Sequence, residues 1–431
     1  MNLSLLIPSR NNLEFLKLCY SSIRKNQGNH FVEILVLDDK SDKDNTWEWC
    51  LETMQLDPNF KAFKNNRTER LGISGGFKFL SQQATQDVIG HFHADMFMVA
   101  GTLDVIEQEL FNFYDDLEIL NTESDKTAIV TDRKSPNNKK VICLTRIEPP
   151  IYDKPGLYPE KIIWENAPIE IEDWNERKFL DFLPIAKKMW NDKRTEGHFV
   201  PFFMFTREYL ELGGIDNINY KFQAREDSDW AFRLVLAGFK TIQIPTFVYH
   251  FASRGNRRAK DNSGTWQDSP EWQQIDQKSI RNFIRKWGSF NPLHDAELKP
   301  RRPYRFKKTF KVRYSDDNFI ELIEPWCDYL DCDLDLERIE MYIASEQDNT
   351  PVNLESKFFH KPDNSDIIVD IDVRTFNTTD WQHIQYLNDI INETGEIGEF
   401  ELGNLKIKIN AMNHYEQDLI ICKNEPILLD A

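Results

Sequence analysis

The chain has 431 residues, 40% of them hydrophobic and 13% aromatic, which predicts two or three globular domains with sizeable cores. Its 71 acidic and 53 basic residues give a formal net charge of -18. This acidic balance argues against a general nucleic-acid-binding protein, which would show a basic excess.

Three features of the sequence indicate where in the cell the protein is found. No run of about 18 apolar residues occurs, so we expect no transmembrane segment. The start, MNLSLLIPSR, lacks a basic region and has too short an apolar run to predict a secretory signal peptide. The six cysteines contain no CxxC pair and are typical of reduced thiols rather than of a disulfide framework or a zinc site. We therefore expect a cytoplasmic protein.

The charge is unevenly distributed along the chain. Residues 314–431 hold 27 acidic and 7 basic residues, a balance of -20, whereas residues 1–313 have a balance of +2. Lys299–Arg313 carries eight basic residues, no acidic residue and two prolines. We predict a domain over 1–298, a basic linker over 299–313 that leads into the next domain, and an acidic α+β domain over 314–431. The acidic domain either keeps the protein soluble or docks on a basic surface of another protein or of a second copy.

The first hundred residues alternate short apolar runs with helical patterns. Leu3–Ile7 and Val32–Asp39 are predicted to be buried strands, each followed by a helix. Repeats of this spacing predict βαβ units, a parallel sheet and a ligand site at the carboxyl ends of the strands. Ser9–Asn12 and Asp38–Ser41 fall at those ends.

Later segments continue the mixed pattern. A glycine-rich turn, LGISGGFKF, leads into a helix before the strand that ends at HAD. A helix is predicted over Thr102–Leu117 and another over residues 270–288. In the acidic part, we predict a helix over Asp380–Ile391. Strands are predicted there at Asp366–Val373, Leu405–Ile409 and Leu419–Cys422.

Four polar patterns follow predicted strands or open a predicted helix. They are IPSRN (Ile7–Asn11), LDDKS (Leu37–Ser41), HAD (His93–Asp95) and REDSDWAFR (Arg225–Arg233). Their succession within residues 1–258 resembles the family-2 inverting glycosyltransferases of the GT-A fold. The resemblance implies a Rossmann-like α/β domain that binds a nucleotide-sugar donor, most simply a UDP-sugar. It also implies a divalent metal on the diphosphate and a glycan or other hydroxyl acceptor.

Donor contacts follow from the resemblance at several positions. Arg70, Lys78 and Arg254 are basic candidates for the diphosphate, with a solvated basic loop as the alternative for Arg254. Strand-to-helix turns favour Asp and Ser, so a purely structural turn is the alternative for the LDDKS pattern. The remaining nucleotide-sugar contacts are assigned to Pro8, Ser9, Arg10, Asn11, Asp39, His93 and Ala94.

The metal ligands are expected at the HAD triplet and at a later histidine. The family has Asp-x-Asp where this chain has His93-Ala94-Asp95, so the resemblance leaves Asp95 as the metal ligand. His93 is a candidate contact to metal or ribose, with a structural histidine as the alternative. His250 matches a position where the family often supplies a further ligand. We expect Mn²⁺, with Mg²⁺ as the alternative, because imidazole suits Mn²⁺ better.

Inverting transfer needs a general base for the acceptor hydroxyl. The resemblance assigns this role to Asp227, with Glu226 orienting the site or holding the acceptor. If the family's motif is aligned two residues later, Asp229 becomes the base instead. The non-catalytic alternative is that these acidic residues only complement the dipole at the start of a helix. Aromatic rings that stack on an acceptor sugar are predicted within His198–Phe205 and Trp164–Asn166.

Two other functions compete with transfer. Sugar-1-phosphate nucleotidyltransfer normally needs a glycine-rich loop after the first strand, and IPSRNN has no glycine. A decayed enzyme that only binds a glycan or a protein is consistent with His93 in place of aspartate. The intact Glu226-Asp227 pair opposes that alternative. The sequence therefore predicts a metal-dependent inverting glycosyltransferase.

Overall fold

The computed structural model describes residues 1–111, 139–190, 200–255, 257–290, 301–361 and 365–430. Within these ranges the chain forms two α/β units, each built around its own sheet. Each sheet has its own hydrophobic core. None of the described helices is long and apolar enough to cross a lipid bilayer.

The larger sheet is formed by ten strands of the described chain. They are β1 (Asn2–Ser9), β2 (Phe31–Asp38), β3 (Phe60–Lys64), β4 (Val88–His91), β5 (Met96–Met98), β6 (Lys140–Glu148), β7 (Gly156–Tyr158), β8 (Lys161–Ile163), β9 (Phe202–Phe205) and β10 (Lys240–His250). The order is β3-β2-β1-β4-β9-β6-β10-β5, with β8 beside β6 and β7 beside β8. Strands β1 to β4 pair in parallel, whereas β9 and β5 pair antiparallel to their neighbours.

Helices cover the larger sheet, and a small hairpin, β11 (Arg258–Lys260) with β12 (Trp266–Asp268), follows β10. The helices are α1 (Leu13–Asn26), α2 (Thr46–Leu56), α3 (Gly72–Gln83), α4 (Thr102–Phe111), α5 (Glu176–Trp190), α6 (Thr206–Glu211), α7 (Glu226–Leu236) and α8 (Pro270–Trp287). The helix predicted over Thr102–Leu117 is present as α4, and its residues beyond 111 lie outside the described chain.

The predicted parallel sheet is confirmed at the amino-terminal strands. In both β1 and β2 every residue after the first is buried, as expected for strands covered by helices on both faces. Helix α3 packs closely on the end of β1 because Gly76 has no side chain. A Cβ atom at Gly76 would lie 2.9 Å from the Cβ atom of Pro8. This close approach brings the amino-terminal turn of α3 beside the carboxyl end of β1.

The second unit contains five strands and five α-helices among the described residues. The strands are β13 (Lys308–Arg313), β14 (Tyr329–Cys332), β15 (Ile367–Asp372), β16 (Gly398–Leu402) and β17 (Leu405–Ile409), in the order β14-β13-β15-β17-β16. The helices are α9 (Asp317–Ile323), α10 (Leu336–Glu346), α11 (Leu354–Phe359), α12 (Thr378–Gln385) and α13 (Leu387–Thr394). This architecture agrees with the predicted acidic α+β domain.

Three details differ from the sequence prediction. Lys308–Arg313, the end of the predicted linker, forms β13 and pairs with strands on both sides. The helix predicted over Asp380–Ile391 is divided into α12 and α13 at Tyr386. The strand predicted at Leu419–Cys422 is wrong, because a 3-10 turn ends at Leu419 and no strand follows in the described chain.

After that turn, residues 420–430 form a C-terminal tail that returns to the larger unit. The backbone N–H of Cys422 donates to the carbonyl of Leu212 at 3.1 Å. Farther along, the N–H of Asn66 donates to the carbonyl of Leu429 at 3.1 Å. The tail therefore lies against α3 and against the loop that precedes it.

Helix α8 joins the two units through a buried ionic cluster. Arg285 donates to Glu324 at 2.6 Å and to Glu346 at 2.7 Å. Arg281 on the preceding turn also pairs with both carboxylates. The positive charges of two arginines on α8 thus balance the negative charges of two carboxylates of the acidic unit at a buried contact.

Candidate active site

A cavity of about 860 Å³ opens at the carboxyl ends of β1, β4 and β10. Its volume lies within the range of about 300–1,000 Å³ that is usual for small-molecule sites. Most of the residues singled out in the sequence line it. They are Pro8, Ser9, Arg10, Asn11, Asp39, Arg70, His93, Ala94, Asp95, Glu226, Asp227, His250 and Arg254.

Lys78 is the exception among the sequence candidates. It is buried on α3, where its Nζ atom donates to the carbonyls of Gly213 and Lys423. Burial lowers the pKa of this amine. The predicted donor contact at Lys78 is therefore corrected, because the helix directs this residue toward the C-terminal tail instead of toward the cavity.

Asp39 organises the loop at one end of the cavity. Its carboxylate accepts the backbone N–H groups of Leu71 at 2.9 Å and of Gly72 at 2.8 Å. It also accepts the side-chain amide of Asn65 at 2.6 Å. Asp39 thus positions the start of α3 and the neighbouring Arg70, in addition to facing the cavity itself.

The turn after β1 presents polar groups to the same end of the cavity. The Oγ atom of Ser9 is buried and has no hydrogen-bond partner within the described chain. Asn11 adopts a φ of 54°, a left-handed conformation that asparagine tolerates better than most residues. Its side chain holds the loop after β2 through Asp42 at 2.8 Å. Ser9 is therefore a free polar contact on a turn with a fixed shape.

His93, Asp95 and His250 converge in the cavity. The Nε2 atom of His250 lies 3.4 Å from Oδ1 of Asp95 and 3.4 Å from Nδ1 of His93. Strand register explains the convergence, because β5 pairs with β10 so that Met96, next to Asp95, lies opposite His250. One ligand atom from each of the three residues lies within 4.8 Å of the others.

The electrostatics of this cluster follow from burial and mutual contact. Burial alone would lower the pKa of His250, but Asp95 and Glu148 raise it to about 9. Burial and the neighbouring His250 lower the pKa of His93 to about 4. Burial opposes ionisation of Asp95, yet the positive charge of His250 outweighs burial and lowers its pKa. The cluster thus offers one carboxylate and two imidazoles.

These donors fit a divalent transition metal. Two imidazole nitrogens and one carboxylate oxygen suit Mn²⁺ better than Mg²⁺, which prefers oxygen ligands throughout. The three ligand atoms are close enough together to bind one ion. Glu148 completes the surroundings by approaching Nδ1 of His250 at 2.7 Å. The sequence analysis missed Glu148 because it lies in no motif.

Glu226 and Asp227 begin α7 at the opposite side of the cavity. The chain enters this helix through Phe222, Ala224 and Arg225, three non-glycine residues with φ of 68° to 76°. Such conformations cost free energy and are often found at functional sites. They aim both acidic side chains at the cavity and place Glu226 at the first helical position.

The two acids differ in their hydrogen bonds. Oδ1 of Asp227 accepts the backbone N–H of Ser228 at 2.7 Å. Oε2 of Glu226 is buried without a partner in the described chain. Burial raises the pKa of both residues, and the charge of Asp227 raises that of Glu226 further. The pair therefore holds a proton more readily than ordinary carboxyl groups do.

Asp229 does not line the cavity. It is fully buried, and its Oδ1 atom accepts Lys286 Nζ at 2.6 Å and Trp287 Nε1 at 3.0 Å. Arg233 pairs with its other oxygen at 3.2 Å. Asp229 therefore belongs to an interior ionic cluster, which separates it from Asp227 only two residues earlier.

Arginines and aromatic rings line the outer part of the cavity. The guanidinium of Arg254 lies 4.4 Å from the ring centre of Phe15 and pairs with Glu170. That of Arg257 lies 5.0 Å from the ring centres of both Tyr152 and Trp272. Both arginines line the cavity, so part of the predicted basic loop faces the site.

The aromatic lining differs from the sequence expectation. Phe202 lines the cavity, but Trp164 stacks on Phe182 with 4.6 Å between ring centres and does not. His198 lies outside the described residues. Phe222, Trp272 and Phe290 also line the cavity, although the sequence analysis did not single them out. Phe222 and Phe290 are isolated aromatic residues outside the helices and strands named above, and Trp272 lies near the start of α8, so no local pattern marked them.

Comparison with known proteins assigns the amino-terminal part of the chain. Residues 4–159 match the model of a family described as glycosyl transferase family 2. This segment runs from within β1 to the end of β7 and includes the HAD triplet. No curated protein sequence matches the chain.

Solved structures give weaker similarities. One is a mannosyltransferase, PcManGT from Pyrobaculum calidifontis, in complex with GDP-Man and Mn²⁺, at 16% identity and a TM-score of 0.36. Another is GalNAc-T7 with UDP, GalNAc and Mn²⁺, at 15% identity and a TM-score of 0.38. The matches cover 58% and 66% of this chain, and 57% and 48% of those chains. This chain thus spans less than two thirds of either protein.

Proposed function

We propose that this chain, whose residues 4–159 match the model of glycosyl transferase family 2, is a glycosyltransferase that inverts the anomeric centre of the sugar that it transfers. The donor is a nucleotide-diphosphate sugar, and the acceptor is a hydroxyl group. One observation carries this proposal. The carboxylate of Asp227 and the cluster of His93, Asp95 and His250 face the same cavity.

Asp227 acts as the general base in the proposed reaction. It takes the proton of the acceptor hydroxyl as that oxygen bonds to the anomeric carbon. The bond from this carbon to the diphosphate oxygen breaks on the opposite face, so the configuration inverts. The raised pKa of Asp227 makes it a stronger base than an ordinary aspartate. Glu226, beside it, is placed to hold the acceptor.

Mn²⁺ is the proposed metal, with His93, Asp95 and His250 as its protein ligands. When bound, it would stabilise negative charge on the departing diphosphate. Arg254 and Arg70 line the cavity as further positive groups, although each also pairs with a glutamate. These two arginines thus support binding of a diphosphate, although the glutamates beside them keep the net positive charge of the cavity wall small.

The nucleoside is proposed to bind beside the turn after β1 and the end of β2. The unpartnered hydroxyl of Ser9 supports this position because a buried polar atom gains free energy from a hydrogen bond. Asp39 and Arg10 lie on the same part of the cavity wall. We expect a UDP-sugar, on the resemblance alone.

Substitution of Asp227 by asparagine tests the proposal. D227N should lower the turnover number by about 10²- to 10⁴-fold because the amide cannot accept the proton. Donor affinity should stay at the wild-type value, since the substitution keeps the size of the side chain. Transfer is measured by nucleotide release across a panel of donors and acceptors with Mn²⁺, and donor binding by calorimetry. Wild-type turnover in D227N would exclude the assigned base.

Asp229 provides the matched control on the same helix turn. D229N should leave buried Arg233 without its paired carboxylate and Lys286 with Asp216 as its remaining one, and destabilise the protein by about 3–5 kcal/mol. Folded D229N at low temperature should keep far more turnover than D227N. If D229N abolishes turnover while D227N does not, the catalytic role belongs to position 229. If no nucleotide is released by the wild type from any donor tried, the binding-only alternative is favoured.

A further inference from the structure

Glu148 lies behind the proposed metal ligands rather than among them. It is buried at the last position of β6, and its Oε1 atom lies 2.7 Å from Nδ1 of His250. The other ring nitrogen, Nε2, faces Asp95 and His93. One imidazole therefore contacts Glu148 on one side and the other two ligand residues on the opposite side.

The direction of this hydrogen bond follows from chemistry. An ionised carboxylate has only acceptor atoms, so Nδ1 of His250 must carry the proton and donate it. Arg146 at 3.5 Å and Lys161 at 3.5 Å keep Glu148 surrounded by positive charge, which favours its ionised form. With the proton on Nδ1, the Nε2 lone pair of a neutral His250 is free to bind a metal.

The fold makes this contact a rigid one. β6 and β10 pair in parallel, and Tyr249 lies opposite Ile147 in the register. The next residues along the two strands are Glu148 and His250. Neither side chain depends on a flexible loop for its position, because both extend from the carboxyl ends of neighbouring strands.

We propose that Glu148 is a positioning residue that fixes the tautomer and ring orientation of His250 for metal binding. The inference rests on the proposed metal centre and assigns Glu148 no contact with metal or substrate. Partners of this kind commonly change metal affinity by about 10- to 100-fold when removed.

The test measures Mn²⁺ binding directly, without the transfer reaction. Full-length protein is titrated with Mn²⁺, and the free ion is followed by its electron paramagnetic resonance signal. E148A should raise the dissociation constant by about 10- to 100-fold. E148Q should fall between the wild type and E148A, because its amide oxygen still accepts from Nδ1. Circular dichroism and thermal unfolding identify variants that are folded.

Glu160 is the matched control. It is also buried and also approaches Arg146, at 3.8 Å, whereas Glu148 is the carboxylate that lies 2.7 Å from Nδ1 of His250. E160Q should therefore bind Mn²⁺ as the wild type does. Equal weakening in E160Q and E148Q would overturn the proposal, because the effect would then belong to the charge of Arg146.

A double-mutant cycle separates positioning from general structural damage. In an H250A background, further substitution E148A should leave the remaining Mn²⁺ affinity unchanged, because its only route to the metal is gone. Additional weakening there, or wild-type affinity in folded E148A or E148Q, would overturn the proposal. If the wild type binds no Mn²⁺, the metal centre and this inference both fail. The base assignment is tested separately by D227N.

Discussion

At the scale of single residues, two glycines with the same backbone conformation have different surroundings. Gly213 has a φ of 78° and Gly238 a φ of 76°. A Cβ atom on Gly238 would meet nothing within 4 Å, whereas one on Gly213 would lie 2.0 Å from the carbonyl oxygen of Cys422. Both positions need a left-handed conformation, but only Gly213 also needs space for the C-terminal tail.

This difference predicts different costs for the same substitution. G238A should lower the free energy of unfolding by about 1–2 kcal/mol, the usual cost of a left-handed non-glycine residue. G213A should lose about 1–3 kcal/mol more, because its methyl group collides with the tail. Chemical denaturation of both variants measures the two losses. Equal losses would mean that the tail does not pack on Gly213 in solution.

Single residues also show what sequence reasoning was able to find. Asp95, Asp227 and His250 lie in local patterns that resemble those of a known family, which made them candidates, and all three line the cavity. Glu148 was missed because its partner is 102 positions away and only the pairing of β6 with β10 brings the two together. Lys78 was misplaced because a basic residue near a glycine-rich turn resembles a phosphate contact, whereas tertiary packing directs it to the tail.

At the scale of elements, the C-terminal tail and α3 depend on each other. The tail's Ile427 donates its N–H to the side chain of Gln82 at 3.0 Å. Arg67, in the loop before α3, donates to the carbonyl of Leu428 at 3.1 Å. That loop continues to Arg70 and Gly72, which line the cavity. The tail thus supports one wall of the candidate active site from behind.

Removal of the tail should therefore affect the cavity as well as stability. A chain that ends at Leu419 should exchange backbone hydrogens faster in residues 65–83 and should bind donor nucleotide more weakly. Glu226 and Asp227 on α7 lie outside residues 65–83, although the removed Cys422 also accepts a hydrogen bond from Arg233 on α7. Hydrogen–deuterium exchange with mass spectrometry locates the change. Unchanged exchange in residues 65–83 would contradict a supporting role for the tail.

Strand β13 shows how composition alone misled the sequence analysis. Eight basic residues in Lys299–Arg313 suggested a linker that leads into the next domain, yet Phe310 and Val312 within it already alternate toward the core of the second unit. Lys308 is buried in this strand, with its Nζ atom 2.6 Å from the carbonyl of Gly288 and 2.6 Å from Oδ1 of Asn388. A period-two apolar pattern was present, but the charge count concealed it.

Lys308 predicts a pH dependence of stability. Burial, together with Arg305, lowers its pKa from 10.5 to about 7. Between these values the unfolded chain binds more protons than the folded chain, so this residue increases stability as pH rises from about 7 to 10. K308M lacks the group, and the stability of the wild type relative to K308M should rise over that interval. Urea denaturation at each pH measures the difference, and a constant difference would contradict the prediction.

At the scale of the whole molecule, the net charge of -18 describes two unlike halves. Part of the basic segment is already used within the chain, since Arg305 pairs with Asp328 and Arg313 with Asp331. Arg281 and Arg285 of helix α8 also form salt bridges with carboxylates of the acidic unit. The domain boundary near residue 300 remains a prediction. The basic segment nevertheless has internal partners, which disfavours it as a docking surface for a second copy.

Self-association through this segment should accordingly be absent. We expect sedimentation velocity to give the same mass at low and high salt, because Arg305 and Arg313 already pair with carboxylates of their own chain. A mass that falls steeply with salt would instead support docking between the acidic unit of one copy and the basic segment of another. R302E, R305E and R313E would then weaken the association.

The return of the C-terminal tail to α3 also has a consequence for biosynthesis. Chains leave the ribosome from the amino terminus at about 5–20 residues per second, and domains generally fold as they emerge. The strands β1 to β4 are made well before Lys423 and Leu429, which lie against that early region. A nascent chain therefore carries an uncovered α3 face until residues 420–430 have been made. Nascent chains stalled before residue 420 should be more sensitive to proteases near α3 than the released protein.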